Sequence, residues 1–316
     1  MLSRVADNLY WFSRYLRRAE NTARLVNVAT QLQLDLPRSA KFSWEPLIET
    51  IGAADAFAES RQGNDTPVTE ADVVRFLLVD ETNNLSLVGS LQNAREVLRT
   101  IRETVPQKCW ESVNDIHTTL ENFGEKGLSR RYRQEFLNKI IDGCLGVSAL
   151  LTANVSHDIG YQFLRLGTAI EQADMTTRII DTGSSGLLTP RNDDDMEAFL
   201  AMQWVSTLRS LAALQMYRRH VRQRVSPTLA FRYLLQDPEF PRSVLFCLSR
   251  IKDVVAKLPP RPEVASGIRK SIAIVNSVET VKAATSDPKA LMDRIQTSLG
   301  ALHVQIHDGY FAREAA

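Results

Sequence analysis

Residues 3–33 read SRVADNLYWFSRYLRRAENTARLVNVATQLQ, and the spacing of apolar residues in this stretch decides the fold. Val5, Leu9, Phe12, Leu16, Ala19, Ala23 and Val26 recur at alternating steps of four and three, which keeps one face of a helix apolar. Ser3 stands where an N-cap belongs, and Pro37 cannot continue a helix. The pattern predicts a single helix over 4–33, more than roughly 40 Å long at about 1.5 Å per residue. A helix of that length can act as the spine of a bundle.

Similar spacing predicts helices over 44–58, 69–78 (with Thr69 as cap), 85–104, 107–123, 130–154 and 157–181, then over 196–224, 229–236, 242–257, 262–283 and 289–311. The clearest break is 182–195, where Gly183, Ser184, Ser185, Gly186 and Pro190 precede three aspartates. No stretch alternates long enough to argue for a sheet. With 14 glycines and 12 prolines in 316 residues, a barrel or sandwich with many tight turns is disfavoured. The reading is an all-α fold.

At 44% hydrophobic residues the chain can bury a large core. Lys+Arg numbers 38 against 37 Asp+Glu, a net charge of +1, which argues against a nucleic-acid binder. Cys109, Cys144 and Cys247 are odd in number and form no CxxC pair, so a disulfide scaffold is disfavoured and a reducing, cytoplasmic setting is expected. No basic segment followed by an apolar stretch opens the chain, and no apolar run reaches the ~20 residues of a membrane span. No cofactor and no membrane partner are expected.

The chain resembles itself. FSRYLRRAENTARLV at 12–26 aligns with LGTAIEQADMTTRII at 166–180 at a shift of 154, so that Leu16, Ala19, Glu20, Thr22 and Arg24 meet Ile170, Ala173, Asp174, Thr176 and Arg178. RFLLVDETNNLSLVGSL at 75–91 aligns with RYLLQDPEFPRSVLFCL at 232–248 at a shift of 157, and Trp44 meets Trp204 at 160. Three matches in one order predict two duplicated halves, 1–153 and 154–316, related by a pseudo-twofold axis and forming one unit. The spines, about 4–33 and 157–181, are expected at its centre.

LSRVADNLYWFSRYLRRAENTARLV and GYQFLRLGTAIEQADMTTRIID look like the two signature helices of the alpha-E family, bacterial all-helical proteins of about this length. FLLVDETNNLS and YLLQDPEFPRS are similar to the family's Asp-containing turns. The resemblance covers essentially the whole chain. It implies work beside a circularly permuted ATP-grasp protein and a transglutaminase-like cysteine peptidase. The usual LGR-x-L-E-R-A departs here: Ser13 replaces Gly and Arg17 replaces Glu in the first copy. In the second, Thr168 and Gln172 stand where Arg is usual.

Glu20 and Arg24, like Asp174 and Arg178, are i, i+4 pairs at the edge of the apolar faces. With Arg14, Arg18 and Glu171 nearby they form either a structural ion-pair network or an anion or peptide site with arginines as bidentate donors. The turns carrying Asp80, Asn83, Asn84 and Ser86, and Asp237, Pro241, Arg242 and Ser243, either cap helices, with Pro241 at N1, or hold a phosphate beside Arg242. Tyr10, Trp11, Phe12 and Tyr15 read as core packing or as a docking surface. His303 and His307 read as exposed, without a metal. The run Arg218, Arg219, His220, Arg222 and Arg224 reads as a solvated helix end.

No phosphate loop, GxGxxG or GxSxG motif occurs. The expected role is therefore a helical partner or scaffold subunit of an ATP-dependent peptide- or amide-forming system. The alternatives are an enzyme using the Glu/Asp/Arg cluster on a carboxylate-bearing peptide, or a purely structural bundle.

Overall fold

The first helix, α1, runs Ser3–Asp35 and turns Leu9, Phe12, Leu16, Ala19, Ala23 and Val26 inward. The structure, a computed structural model, describes residues 3–36, 40–62, 66–184, 188–190, 196–277 and 288–312. The second spine, α8 (Ile159–Ser184), lies along α1. Helices α5 (Leu87–Thr100) and α7 (Arg130–Asn154) flank α1, and α6 (Gln107–Gly127) packs on α7. On the other side, α12 (Val244–Val255) packs on α8, with α13 (Pro262–Val275) beyond it. The last helix, α14 (Pro288–Tyr310), packs on both α13 and α8. Shorter helices fill the ends: α2 (Pro46–Thr50), α3 (Ala54–Ser60) and α4 (Glu70–Leu78) in the first half, α9 (Met196–Ser210), α10 (Leu214–Val221) and α11 (Pro227–Gln236) in the second. The fold is all-α, and one apolar core joins Phe12, Leu16 and Ala19 to Leu166, Ile170 and Ala173.

The spines touch closely at Gly167. A Cβ there would fall inside contact distance of Ser13 Oγ and the Tyr10 carbonyl. Ser13 turns its hydroxyl back onto that carbonyl, at 2.9 Å. Adding even one methyl group must push two long helices apart. Gly167→Ala is expected to cost about 1–3 kcal/mol, as overpacking does in a closed core. Urea unfolding checks it, with Gly146→Ala as control, since a Cβ at Gly146 meets nothing.

Several expected helices are interrupted. The stretch 44–58 is two helices, α2 and α3, hinged at Gly52 with φ +74°. The Gly52 N–H bonds the Glu49 carbonyl and the Ala53 N–H bonds that of Ile48, the paired closure of a helix ending in a left-handed residue. The stretch 196–224 is likewise α9 and α10, hinged at Ala212 with φ 51°. There Ala212 N–H bonds Arg209 and Ala213 N–H bonds Leu208. The two hinges stand 160 residues apart, the same shift as Trp44 and Trp204.

The stretch 85–104 becomes α5 followed by a 3-10 turn, Arg102–Thr104. The described part of 262–283 is helical only to Val275, and 278–287 lies outside the described residues. Sheet structure is not wholly absent either. β1 (Ala40–Phe42) pairs antiparallel with β2 (Leu188–Pro190), joining the ends of the two spines. Three residues are too few for alternation to show in a sequence.

Among the described residues, α7 is the one helix long and apolar enough, by composition, to cross a membrane. It packs against α1 and α6 and turns Phe136, Leu137, Ile140, Cys144 and Val147 into the core. Its Arg133 is buried, bonding Glu70 at 2.8 Å, Thr30 Oγ1 at 3.1 Å and the Leu128 carbonyl at 2.6 Å.

Candidate functional site

Arginines 14, 17, 18 and 24 share α1 but not one face of it. Arg14 and Arg18, one turn apart, point together toward α8. Arg14 Nε donates to Glu171 Oε2 at 2.7 Å, and Arg18 donates to Oε1 at 2.6 Å and Oε2 at 3.1 Å. Arg17 and Arg24 flank Glu20 on a neighbouring face. Arg24 Nε reaches Glu20 Oε1 at 2.8 Å, and Arg17 Nη1 holds Oε2. A third donor comes from the start of the α12 region, where Arg242 Nη2 bonds Glu20 Oε1 at 2.6 Å. Arg242 Nη1 also bonds Asn21 Oδ1 at 3.1 Å and Gln172 Oε1 at 3.3 Å.

Both carboxylates are sealed: Glu171 is 0% and Glu20 1% exposed. Burial alone would raise their pKa values, but the arginines outweigh it and hold each at about 2. They are permanent anions, saturated with donors. That suits them to structure and unsuits them to proton transfer at neutral pH.

The Asp174–Arg178 pair differs. Arg178 Nε bonds Asp174 Oδ2 at 2.8 Å with both side chains partly exposed, and the guanidinium lies beside Gly52. The two spines pack together, yet no hydrogen bond joins this pair to Glu20–Arg24 among the described residues. The bonds that cross the seam run from Arg14 and Arg18 to Glu171.

The two Asp turns close alike. Ser86 Oγ donates to the Asp80 carbonyl at 2.8 Å and accepts from Gly89 N–H at 3.0 Å. Ser243 Oγ donates to the Asp237 carbonyl and accepts from Phe246 N–H at 3.1 Å. Asp80 Oδ1 accepts from Thr82 N–H and Asp237 Oδ1 from Glu239 N–H, each at 2.9 Å. Asn83, buried, bonds the Phe76 carbonyl, while Asn84 is exposed. Ser243, and not a residue before Pro241, is the N-cap, so Pro241 lies ahead of the helix instead of at N1.

His303 is not exposed. It is half-buried and stacks on Tyr10 with rings 5.8 Å apart. Arg14 Nη1 approaches its Nδ1 at 3.1 Å, and the Tyr10 hydroxyl approaches the same nitrogen at 2.8 Å. An arginine only donates, so Nδ1 carries the lone pair and the ring is neutral. Burial first, then the Arg14 charge, lowers the imidazole to about 4. Tyr10 and Phe12 are core residues, while Trp11 and Tyr15 are half-buried and stacked together, Trp11 beneath Arg14. The run at 218–224 ends α10, with Arg218, Arg219, Arg222 and Arg224 exposed. No group of His, Cys, Asp or Glu suited to a metal occurs among the described residues.

Next to the Glu20 cluster lies a cleft of about 340 Å³ between α1, α7, α8 and α12. Arg17, Arg165, Arg242 and Arg250 line it, with Thr168 and Gln172. Sequence reasoning marked Arg17, Thr168 and Gln172 only as departures and passed over Arg165 and Arg250. The excess of arginine over acid on facing elements appears only once α8 and α12 are packed.

A family model, described as a predicted alpha-helical domain with a conserved ER motif, matches residues 1–311. The chain belongs to the Alpha-E family. This Alpha-E protein contains no Glu-Arg dipeptide. The first signature helix has Arg17-Arg18 at the motif and the second has Glu171-Gln172. Glu171 and Arg18 meet across the seam, so the two charges are brought together from different helices.

The Alpha-E chain is 23% identical over 324 residues to the uncharacterized protein Mb2597 of Mycobacterium bovis, a match covering 96% of this chain and 35% of that protein. The figures are the same for the uncharacterized protein Rv2567 of Mycobacterium tuberculosis. The chain thus spans about a third of the length of the curated relatives it matches. No solved structure matches it.

Proposed function

We propose that the chain is a helical partner or scaffold subunit of an ATP-dependent peptide- or amide-forming system built around an ATP-grasp protein. The observation that carries this reading is the sealing of Glu20 and Glu171 under arginines, which leaves neither carboxylate free for acid–base work. The thiols fit the same reading. All three are free and buried. Burial pushes Cys109 up to about 11 and Cys247 to about 12, and moves Cys144 the same way, far from a reactive thiolate. A reducing, cytoplasmic setting suits such thiols. Curated relatives about three times as long carry this region joined to further sequence, as expected of a module that works beside another. The ATP-grasp and transglutaminase-like partners rest on the family resemblance.

The two-half reading belongs here as well. Supporting it are the matching Ser-capped turns, the matching left-handed hinges at Gly52 and Ala212, and the contact of Ser13 with its counterpart Gly167. Equivalent residues touch where a twofold axis passes.

A second reading, an enzyme acting on a carboxylate-bearing peptide, has one feature in its favour, the accessible Asp174–Arg178 pair. One experiment separates the two. The chain is assayed alone for ATP hydrolysis and peptide cleavage, then mixed with the ATP-grasp protein at micromolar concentration with ATP and magnesium. The expected result is no activity alone and a complex by size exclusion. Failure to associate, or turnover by the chain alone, overturns the partner reading. A folded Arg178→Ala variant that still binds but abolishes product would favour the enzyme.

A further inference from the structure

The 154-residue correspondence between the spines assigns the arginine-lined cleft a partner within the molecule. Arg14, Arg17 and Arg18 correspond to Thr168, Glu171 and Gln172. In the closed cluster, Glu171 of α8 meets Arg14 and Arg18 of α1. Its counterpart should set position 17 of α1 against positions 168 and 172 of α8, and Arg17, Thr168 and Gln172 do line one cleft together. The carboxylate of the first place has become a guanidinium in the second.

The charges in the cleft are unbalanced. Arg17 and Arg242 share Glu20 with Arg24, three cations on one anion. Arg165 and Arg250 form no ion pair among the described residues. Arg165 has Asp253 in its neighbourhood and a 3.3 Å bond to Gln162 Oε1, and Arg250 lies over the Phe246 ring at 5.9 Å. Arg17 Nε and Arg165 Nε are buried with no acceptor. A buried donor left unpaired costs free energy, so an acceptor arriving from outside gains what the fold has left unmade. Burial, and then the neighbouring Arg250 charge, lower the Arg165 pKa, and burial does the same at Arg17 against the pull of Glu20. Leu16, Leu164 and Ala169 add apolar lining, and Leu145, 38% exposed, also borders the cleft. The volume is at the small end for ligand pockets.

We propose that this cleft binds the carboxylate of a small acid with an apolar portion, which supplies the anion that position 17, an arginine here, does not. The carboxylate is fixed by Arg165 and Arg250 with Arg17 Nε behind it, and the apolar portion rests on Leu16 and Leu164. The paired Nε–Nη edge of a guanidinium matches a planar carboxylate. The inference does not depend on an ATP-grasp partner, and its test needs only this chain.

The full-length protein is titrated calorimetrically at low salt with N-acetyl-leucine, with N-acetyl-leucinamide, and with inorganic phosphate. N-acetyl-leucine should bind with a dissociation constant on the order of 1 mM or tighter, and the amide at least about tenfold more weakly. Arg165→Gln and Arg250→Gln should each weaken the acid by roughly tenfold or more, while Arg218→Gln on the distant helix end changes nothing. Arg250 is exposed, so Arg250→Gln carries the result if Arg165→Gln disturbs the fold. Equal binding of acid and amide, tighter binding of phosphate, unaffected variants, or no binding of the acid would each overturn the assignment.

Discussion

Glu171→Gln is expected to destabilise the folded chain by about 3–5 kcal/mol, the range found when one member of a buried ion pair is removed. Glutamine keeps the shape of the side chain and some hydrogen bonding but removes the charge that compensates Arg14 and Arg18. Arg14 is the more costly of the two to strand. It is buried between Tyr10, Trp11 and His303, none of which offers it a counter-charge at neutral pH. Chemical denaturation of the wild type and variant measures the loss. Asp174→Asn, which breaks the partly exposed pair, should cost no more than about 1 kcal/mol. Replacing Glu171, Arg14 and Arg18 together by methionine should recover much of the stability lost by Glu171→Gln, because no buried charge then remains. Similar losses for the Glu171 and Asp174 variants would show that the cluster is not sealed in solution.

Acid should unfold the protein in two windows. The first belongs to His303, which sits at about 4 in the fold against an ordinary 6.5. The unfolded chain takes up this proton more readily, so the contribution is whole above about 6.5 and is lost as pH falls toward 4. The second belongs to Glu20 and Glu171, each at about 2 against an ordinary 4.5. Their contribution is whole above about 4.5 and is lost as pH falls toward 2. At about 1.4 kcal/mol per pKa unit, each is worth roughly 3 kcal/mol. Glu70 and Asp72, also lowered, act in the same direction, while Asp7, raised by burial, opposes them. Urea midpoints should therefore decline gently from pH 7 to 5 and steeply below 4.5. His303→Gln should flatten the first decline and leave the second. A midpoint unchanged between pH 5 and pH 3 would contradict both arginine clusters.

The spines were readable because their packing is written within each helix: steps of three and four keep Leu9, Phe12 and Leu16 on one side whatever lies opposite. The Thr69 cap was legible for the same local reason, and Thr69 and Asp72 form the full capping box. Breaks were legible only in part. Gly52 was available as a signal, yet the reading carried one helix across it, and the identical closure at Ala212 carries an alanine, for which no sequence rule predicts a left-handed turn. The seven arginines and acids on the spines were found by spacing, but their partners were not. Arg242 lies 222 residues from Glu20 and Arg133 lies 63 from Glu70, so each contact exists only after the helices have docked. Nor does anything in α8 or α12 alone say that Arg165 and Arg250 share a cleft.

The ion pair between Arg18 and Glu171 makes each long helix answerable for the other. Had both charges sat side by side on one signature helix, that helix would have carried its own counter-ion wherever it went. Divided as they are, residues 1–153 hold the surplus cations Arg14 and Arg18, and residues 154–316 hold a buried anion with nothing to neutralise it. Neither portion is electrically complete by itself. A change of charge at either end of this contact strands the charge at the other, although positions 18 and 171 lie far apart in the chain.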